Sequence, residues 1–309
     1  MPTTVEVDVT SRSNPIRCGT NHGVTDRLTP ARASLMGLAV GDALGEALDT
    51  TGLDLPPAPW HWTDDTEMAC SVVHVLATRG HLDAAALADS FVARYDEARN
   101  YGPGVDAMIR EVSRRGVSLA RLATETFGGD GSWGTGAAMR VAPLGAWYHD
   151  DPELAAREAV ASAEVTHTHP EGVAGAVATA VAASLAAAGA TAADLLDEVL
   201  HRTPTGKVYD GLRDAADLAD ASAGEAAATL GDGARRSAPD TVPLALWVAA
   251  QHLDDYAAAV RAAAPVADDV DTVCAIVGGI VAGRLGESAI PAQWRQACEP
   301  LPAWIRHHP

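Results

Sequence analysis

Apolar side chains recur at helical spacing along most of the chain. One example is the stripe that follows the acidic segment 61–67, namely Met68, Ala69, Val72, Val73, Val75 and Leu76. Regular alternation of apolar and polar residues, which is typical of strands, is scarce. The pattern therefore predicts an all-α protein. Predicted helices begin near Ala31 and at the acidic segment, and continue over 83–98, 105–115, 117–126, from Ala137, and over 153–165, 170–189, 191–202, 208–220, 241–262 and 273–283.

The chain divides into a short arm and one domain. Residues 1–30 are polar and lack a helical period, so we expect a flexible or irregular N-terminal arm. Residues 31–309 are predicted to form a single domain, because the connections are short and no composition break divides them. Within the first predicted helix, Gly37, Gly41 and Gly45 fall on one face. That face predicts close approach of either a neighbouring backbone or a ligand.

Composition narrows the classes of function. Hydrophobic residues make up 48% of the 309, largely Ala, Val and Leu, and aromatics only 5%. The net charge of −19 disfavours binding to nucleic acid, whose phosphates it repels. The four cysteines are far apart without a CxxC pair, so neither a zinc site nor a disulfide scaffold is indicated. The Ala-rich segment 173–196 is predicted to be a buried core helix rather than a membrane span. The N-terminus lacks the apolar core of a signal peptide. We therefore expect a cytoplasmic protein.

A first acidic cluster opens one of the predicted helices. Asp64 and Glu67 have the spacing of a capping box, with Asp64 as the N-cap. A cap alone is the simpler interpretation of this segment.

A second acidic cluster changes that interpretation. Asp268, Asp269, Asp271 and Thr272 precede another apolar helix, in the same layout of acids and a threonine. One helix cap needs one oxygen, and surplus carboxylates beside a core are costly unless a cation neutralises them. Mg²⁺ and Mn²⁺ prefer carboxylate and hydroxyl oxygens, so the two clusters together predict a shared metal site.

The most loop-like stretch is the glycine-rich segment 127–136. It is predicted to open a helix at Ala137, where free backbone N–H groups would suit a phosphate. It is neither a P-loop nor a dinucleotide fingerprint, and an ordinary loop is the alternative. The aromatic residues Phe127 and Trp133 within it suit a nucleobase or a pentose.

The segment Thr166-His167-Thr168-His169-Pro170 places two histidines in a turn. Capping or hydrogen bonding is the simpler role for them, and zinc is disfavoured because no further Cys or His lies near.

Taken in this order, the motifs resemble those of the ADP-ribosylglycohydrolase family, which includes dinitrogenase-reductase-activating glycohydrolases and ADP-ribosyl-acceptor hydrolases. The resemblance spans about Ala31 to Gly286. It rests on the segments 41–45, 62–66, 101–104, 131–143, 166–167 and 269–272. The 131–143 string, Gly-Ser-Trp-Gly-Thr-Gly-Ala-Ala-Met-Arg-Val-Ala-Pro, looks most like the branch that cleaves serine-linked ADP-ribose and poly(ADP-ribose).

The resemblance implies an orthogonal all-α bundle that holds two Mg²⁺ or Mn²⁺ ions. The matching metal ligands are Thr63, Asp64, Asp65, Asp269, Asp271 and Thr272. The implied substrate-binding residues are Tyr101, Gly102, Gly104, Phe127, Gly131, Ser132, Trp133, Gly134, Gly136 and His167. Asp49, Asp64 and Asp65 are the candidates that would orient or deprotonate the attacking water.

Three positions depart from the family's pattern. Asp49 stands where glutamate is usual, and its side chain is one methylene shorter. Thr135 replaces a common asparagine in the glycine-rich loop. Ala267-Asp268 replaces a common Gly-Gly pair, which adds a carboxylate near the metals or directs one to solvent.

The implied activity is metal-dependent hydrolysis of the glycosidic bond between ADP-ribose and an acceptor such as serine, poly(ADP-ribose) or arginine. ADP-ribose or an ADP-ribosylated protein would be the partner of a monomer with no membrane attachment. Alternatives are an ADP-ribose-binding protein of the same fold with weak catalysis, a helical structural protein that has lost its site, and an unrelated metal-dependent hydrolase of another nucleotide sugar or phosphate.

Overall fold

The computed structural model describes residues 24–51 and 55–306 of the chain. These residues form α-helices joined by loops and 3-10 turns, without a β-strand, so the all-α prediction is confirmed. In chain order the helices are α1 (Val24–Thr51), α2 (Asp64–Arg79), α3 (Ala84–Arg94), α4 (Pro103–Arg115), α5 (Leu119–Glu125), α6 (Ala142–Trp147), α7 (Pro152–Glu164), α8 (Pro170–Ala187), α9 (Ala192–Arg202), α10 (Lys207–Ala216), α11 (Ala223–Leu230), α12 (Ala238–Gln251), α13 (Tyr256–Ala263), α14 (Val270–Leu285), α15 (Ala292–Ala297) and α16 (Ala303–Arg306).

The most extensive helix contact among the described residues is between α1 and α14, and small residues make it possible. A Cβ atom added to Gly37 would lie 2.4 Å from the Gly278 carbonyl oxygen. One added to Gly41 would lie 2.2 Å from the Cys274 carbonyl oxygen. The glycine face of α1 therefore accommodates a neighbouring backbone, which decides between the two predicted roles for that face.

The contact between α1 and α14 also positions the second acidic cluster. Near the C-terminal end of α1, a Cβ on Gly45 would meet the Asp271 Cα at 2.6 Å. Asp271 lies in the first turn of α14. Close packing of α1 thus fixes where the second acidic cluster lies.

Helix α8 lies in the core, as its alanine-rich sequence predicts. Among the described residues it is the one helix long and apolar enough to cross a membrane, and 72% of its apolar window is buried inside the protein. Buried alanines such as Ala180 let α6 approach it closely, since a Cβ on Gly145 would lie 2.0 Å from the Ala180 carbonyl oxygen. The prediction of a packed core helix is confirmed.

Helix α1 begins at Val24, earlier than the predicted start at Ala31. The predicted arm of residues 1–30 is therefore too long at its C-terminal end. Leu28 is buried and anchors the additional turns, and Pro30 lies inside the helix without ending it. Residues 1–23 lie outside the described residues, and an arm there stays a prediction.

Two other predicted helices were wrong. The helix predicted from Ala137 is replaced by a 3-10 turn at Thr135–Ala137, and α6 starts only at Ala142. Proline favours the first positions of a helix and disfavours helical backbone in the residue before it, so Pro143 sets this start. The helix predicted over 241–262 is two helices, because Asp255 caps α13 by accepting a hydrogen bond from the Ala258 N–H.

Helix α11 was missed by the apolar pattern. Its start carries a capping box, in which Ser222 accepts from the Glu225 N–H and Glu225 accepts from the Ser222 N–H. The local signal Ser-x-x-Glu was present and would have predicted the helix.

Candidate active site

A buried carboxylate that was not among the predicted site residues holds the first acidic cluster in place. Asp42, on α1, accepts hydrogen bonds from the Thr63 N–H (3.0 Å) and the Thr63 hydroxyl (2.9 Å). It also accepts from the Thr66 N–H (3.1 Å) and the Thr66 hydroxyl (2.6 Å). One side chain of α1 therefore satisfies the N–H groups of the N-cap and N3 residues of α2, the two donors that a capping box would satisfy locally. Burial, together with the nearby Asp271, raises the pKa of Asp42 to about 7.

The cap of α2 is Thr63 and not Asp64, so the predicted capping box is wrong. The Thr63 hydroxyl oxygen accepts from the Asp65 N–H at 3.4 Å. Glu67 does not complete a box, because it instead accepts from the Asp96 N–H (3.0 Å) and the Tyr101 hydroxyl (2.7 Å). Asp64 and Asp65 are thereby released from capping.

Both aspartates of the first cluster are buried, and Asp65 is short of hydrogen-bond partners. Asp65 is 2% exposed, and its Oδ1 has no hydrogen bond. Burial and repulsion from Asp42 and Asp271 raise the pKa of Asp64 and of Asp65 well above the usual range. Such a site favours a proton or a cation on these oxygens.

The second cluster opens α14 without a side-chain cap. Asp269 is the N-cap residue, yet its side chain makes no capping bond and is only 1% exposed. Burial, and then Asp271, raises the pKa of Asp269 to about 7 despite the opposing effect of Arg236. Asp268 is exposed, so its extra carboxylate points to solvent.

The structure brings the two clusters together. Asp64, Asp65, Asp269 and Asp271 line one cleft, and Asp271 helps to raise the pKa values of the other three and of Asp42. Within residues 24–51 and 55–306, however, no group of three or more His, Cys, Asp or Glu side chains is arranged to hold a metal ion. The acids share one electrostatic environment without forming a finished coordination shell.

A cleft of about 540 Å³ lies over these acids. Most of the predicted site residues line it: Asp64, Asp65, Tyr101, Gly102, Gly104, Phe127, Ser132, Trp133, Gly134, Gly136, His167, Asp269, Asp271 and Thr272. Asn100, Arg235 and Arg236 line it as well and were not predicted. Asp49, Thr63 and Gly131 do not line it.

The glycine-rich loop forms one wall of the cleft. Phe127 and Trp133 are 68% and 44% exposed, so two aromatic faces are available to a ligand. Gly131 has a left-handed φ of 76°, and a Cβ there would lie 2.2 Å from the Thr168 hydroxyl oxygen, which explains that glycine by packing. A 3-10 turn and not an α-helix follows the loop, so the predicted contribution of a helix dipole to phosphate binding is absent at this position.

His167 packs against Gly136 of the glycine-rich loop. It is 3% exposed, and its Nδ1 lies 2.7 Å from the Thr166 hydroxyl oxygen. Burial and the nearby Arg140 lower the pKa of His167 to about 3, so the ring is neutral at physiological pH. His169, in contrast, caps α8 by accepting from the Glu171 N–H, which is the simpler role predicted for a histidine here.

Arg140 is a fully buried support that the sequence did not indicate. Its guanidinium donates to the Gly136 carbonyl (2.8 Å), the Thr166 hydroxyl (2.9 Å) and the Ser162 carbonyl (2.6 Å). These bonds tie the glycine-rich loop to the end of α7 and to the histidine turn. Burial lowers the pKa of Arg140 to about 9, which leaves it charged at pH 7.

Asp49 lies away from the cleft. It is exposed near the end of α1, and residues 52–54 beyond that helix are outside the described part of the chain. Glu46, one turn earlier, is half-buried and accepts from the Asn100 amide at 3.1 Å. Burial raises the pKa of Glu46, with further contributions from Asp271 and Asp49. Glu46 thus shares the electrostatic environment of the second acidic cluster, and a role for Asp49 stays a prediction.

A larger cavity of about 930 Å³ lies elsewhere, between the 58–61 segment and the C-terminal helices. It contains neither acidic cluster nor the glycine-rich loop. The chemistry of the residues therefore favours the smaller cleft as the functional site.

Known proteins share this chain's sequence and fold. Residues 23–307 match the family model of ADP-ribosylglycohydrolase. A protein of Archaeoglobus fulgidus is 31% identical over 85% of this chain and 89% of its own length. Bovine ADP-ribosylhydrolase ARH3 is 27% identical over 91% of this chain and 92% of its own. ADP-ribosylarginine hydrolase Tri1 of Pseudomonas putida is 28% identical over 91% of this chain and 76% of its own.

A solved structure, an ADP-ribosylglycohydrolase-related protein complex, superposes with a TM-score of 0.69 at 25% identity. The alignment covers 91% of this chain and 96% of that one. The fold and the acid-lined cleft thus define an all-α hydrolase. The chain belongs to the ADP-ribosylglycohydrolase family, as its motifs predicted, and is an enzyme of that family. By their names, two of these relatives are hydrolases of ADP-ribosyl groups, ARH3 as an ADP-ribosylhydrolase and Tri1 as an ADP-ribosylarginine hydrolase.

Proposed function

We propose that the protein hydrolyses the glycosidic bond between ADP-ribose and an acceptor, with divalent cations held by the two acidic clusters. The observation that carries this proposal is the meeting of both clusters beneath one cleft. The opposite wall of that cleft is the glycine-rich loop with its exposed aromatic residues. Asp64 and Asp65 come from α2, and Asp269 and Asp271 from the start of α14.

The residues present fit a hard divalent cation. Asp65 Oδ1 and both carboxylate oxygens of Asp269 are buried without a hydrogen bond. Buried carboxylate oxygens without hydrogen bonds are costly, and a cation would neutralise them. The Thr63 hydroxyl donates its proton to Asp42 and accepts from the Asp65 N–H, so one oxygen lone pair remains for a ligand role. The proposed ligands are Thr63, Asp64, Asp65, Asp269, Asp271 and Thr272.

When bound, such a cation lowers the pKa of a coordinated water and can orient the hydroxyls of a sugar. The side chains do the rest. Phe127 and Trp133 would pack on the adenosine part, Ser132, Gly134 and Gly136 would face the diphosphate, and Tyr101, Gly102 and Gly104 would line the ribose side. His167 is neutral, so in this site it is a hydrogen-bond partner and not a cation.

The proposed reaction breaks the bond from the anomeric carbon of the distal ribose to the acceptor. A carboxylate, with Asp64 and Asp65 as candidates in the cleft, accepts a proton from the attacking water. The leaving acceptor takes up a proton, and free ADP-ribose is released. The anomeric centre passes through an oxocarbenium-like state, as in other glycoside hydrolysis.

For the acceptor, we propose an O-linked group such as serine or poly(ADP-ribose). The 131–143 string supports this choice, because it looks most like that branch of the family. An arginine acceptor is the alternative, since Tri1, which is named for ADP-ribosylarginine, is as similar to this chain as ARH3 is.

The test is release of free ADP-ribose, measured by mass spectrometry, from defined serine-, arginine- and poly-ADP-ribosylated substrates with Mg²⁺, Mn²⁺ or EDTA. We expect release with a metal and at least a 100-fold loss in Asp65→Asn, whose circular dichroism should match wild type. Near-full turnover of Asp65→Asn with saturating Mg²⁺ would contradict the two-cluster mechanism.

A second candidate is an ADP-ribose-binding protein with weak catalysis. The exposed position of Asp49 outside the cleft favours it. Tight binding of ADP-ribose without turnover of any substrate, together with a gain of turnover in Asp49→Glu, would support this alternative.

A further inference from the structure

Arg236 places a positive charge directly on the second acidic cluster. One of its guanidinium nitrogens lies 2.7 Å from Asp269 Oδ1. The geometry does not meet hydrogen-bond criteria, so this contact is an ion pair without a directed bond. The two side chains differ in burial, with Asp269 at 1% and Arg236 at 62% exposure.

The backbone around Arg236 is held, so only its side chain is free to move. The Arg236 N–H donates to the Gly233 carbonyl at 2.7 Å, and the residue has a left-handed φ of 50°. Two further backbone bonds fix the ends of its loop. Ala238 donates to the Trp133 carbonyl (2.9 Å), and Asp268 donates to the Asp232 carbonyl (2.8 Å). Left-handed backbone is unfavourable for arginine, and these bonds maintain it.

Arg236 also stands out among the charges of the cleft. Two arginines line it, Arg235 and Arg236. Of these two described residues, only Arg236 has an ion pair between its guanidinium and a carboxylate, because Arg235 meets Asp240 through its backbone N–H. Arg140 is fully buried behind the glycine-rich loop and does not line the cleft. Arg236 is therefore the group that offsets the negative charge of Asp269 from the solvent side.

We propose that Arg236 and a divalent cation compete for Asp269, and that the displaced guanidinium then binds an anionic phosphate group of the substrate. This inference rests on the function proposed above. A cation at Asp269 would repel the guanidinium, whose exposed side chain can swing away at little cost. The planar fork of arginine suits phosphate oxygens, and Arg236 already lines the cleft that the substrate would enter.

The exchange would link two binding events. Cation binding would free the arginine for the substrate, and substrate binding would in turn keep the arginine away from Asp269. By reciprocity, each ligand would then raise the affinity of the other by the same factor.

The first experiment measures Mn²⁺ affinity by calorimetry in wild type, Arg236→Gln, Arg236→Lys and the matched neighbour Arg235→Gln. We expect about tenfold tighter Mn²⁺ binding in Arg236→Gln, because a positive charge beside the ligand is removed. Arg236→Lys keeps the charge and should stay near wild type, and Arg235→Gln should change less than twofold. Unchanged or weaker Mn²⁺ binding in Arg236→Gln would overturn the competition.

The second experiment measures the Kd of ADP-ribose with and without saturating Mn²⁺. In wild type we expect Mn²⁺ to tighten ADP-ribose binding, and in Arg236→Gln we expect this enhancement to fall about tenfold. An enhancement equal to wild type would overturn the role of the displaced arginine. If wild type itself bound no Mn²⁺, the proposed metal-dependent function would fail, which is a different result from failure of the exchange.

Discussion

The two acidic clusters look alike in sequence and are supported in different ways. The first opens α2 and is locked from behind, because the buried Asp42 accepts four hydrogen bonds from Thr63 and Thr66. The second opens α14 without a side-chain cap and has an exposed arginine as its counter-ion. One half of the site is thus preorganised by the core, and the other half is adjustable from solvent.

The largest effect should come from the contact between α1 and α14, which positions both acidic clusters. In Gly41→Ala, the new Cβ would lie 2.2 Å from the Cys274 carbonyl oxygen and would push α14 away from α1. We expect a loss of about 3 kcal/mol in unfolding free energy, measured in urea, together with loss of hydrolysis. Gly224→Ala is the matched control, because nothing lies within 4 Å of a Cβ there. Equal stability of the two variants would show that the helix contact does not control the site.

The next largest effect should come from the hydrogen bonds by which Asp42 holds the first cluster. Asp42→Asn keeps the shape of the side chain but weakens the hydrogen bonds from Thr63 and Thr66. It also places an amide N–H group against the donors of those residues. We therefore expect a loss of about 2 kcal/mol in unfolding free energy. The control is Asp268→Asn, an exposed acid of the second cluster, which should change stability by less than about 0.5 kcal/mol. A destabilisation by Asp268→Asn as large as that by Asp42→Asn would remove the contrast between the two regions.

The buried His167 should also make the stability of the protein depend on pH. The pKa of His167 is lowered to about 3 in the folded protein, whereas an unfolded histidine titrates near 6.5. Below pH 6.5 the unfolded chain therefore takes up a proton that the folded chain does not. Stability should fall as pH decreases from about 6.5 toward 3, by about 1.6 kcal/mol between pH 6.5 and 5.

Denaturant unfolding at several pH values checks this effect. His167→Gln should lose that part of the slope, whereas the control His81→Gln, at an exposed position, should retain it. The same pH slope in wild type and in His167→Gln would contradict the assignment.

The smallest effect is expected at the counter-ion of the second cluster. Arg236→Gln should change the unfolding free energy by less than about 1 kcal/mol, because a mostly exposed ion pair is screened by solvent. Thermal unfolding in EDTA measures it. A loss as large as that in Asp42→Asn would mean that both clusters are held with equal rigidity.

Much of the fold could be predicted from local pattern. Helical spacing and alanine content indicated the all-α core and the buried α8, and the layout of the two acidic segments predicted that they belong together. The glycines of α1 suggested a close approach, but whether backbone or ligand approached depended on α14, which lies far away in the chain.

The errors and omissions have a common physical cause. Thr63 and Asp64 are both good caps, and the choice of Thr63 is made with the help of Asp42, which belongs to another helix. Arg236 and Arg140 are single arginines without a periodic pattern, and their roles come from tertiary contacts alone. Local sequence carries no information on such contacts.

The packing of α1 on α14 also has a consequence for the synthesis of the protein. The first acids are made early, but their partners at the start of α14 leave the ribosome only when most of the chain has been translated. A chain that stops before Asp269 contains only the first acidic cluster. It also lacks α14, the helix that packs against the glycines of α1. Copies that stop before α14 therefore cannot assemble the cleft, because its second acidic cluster is missing.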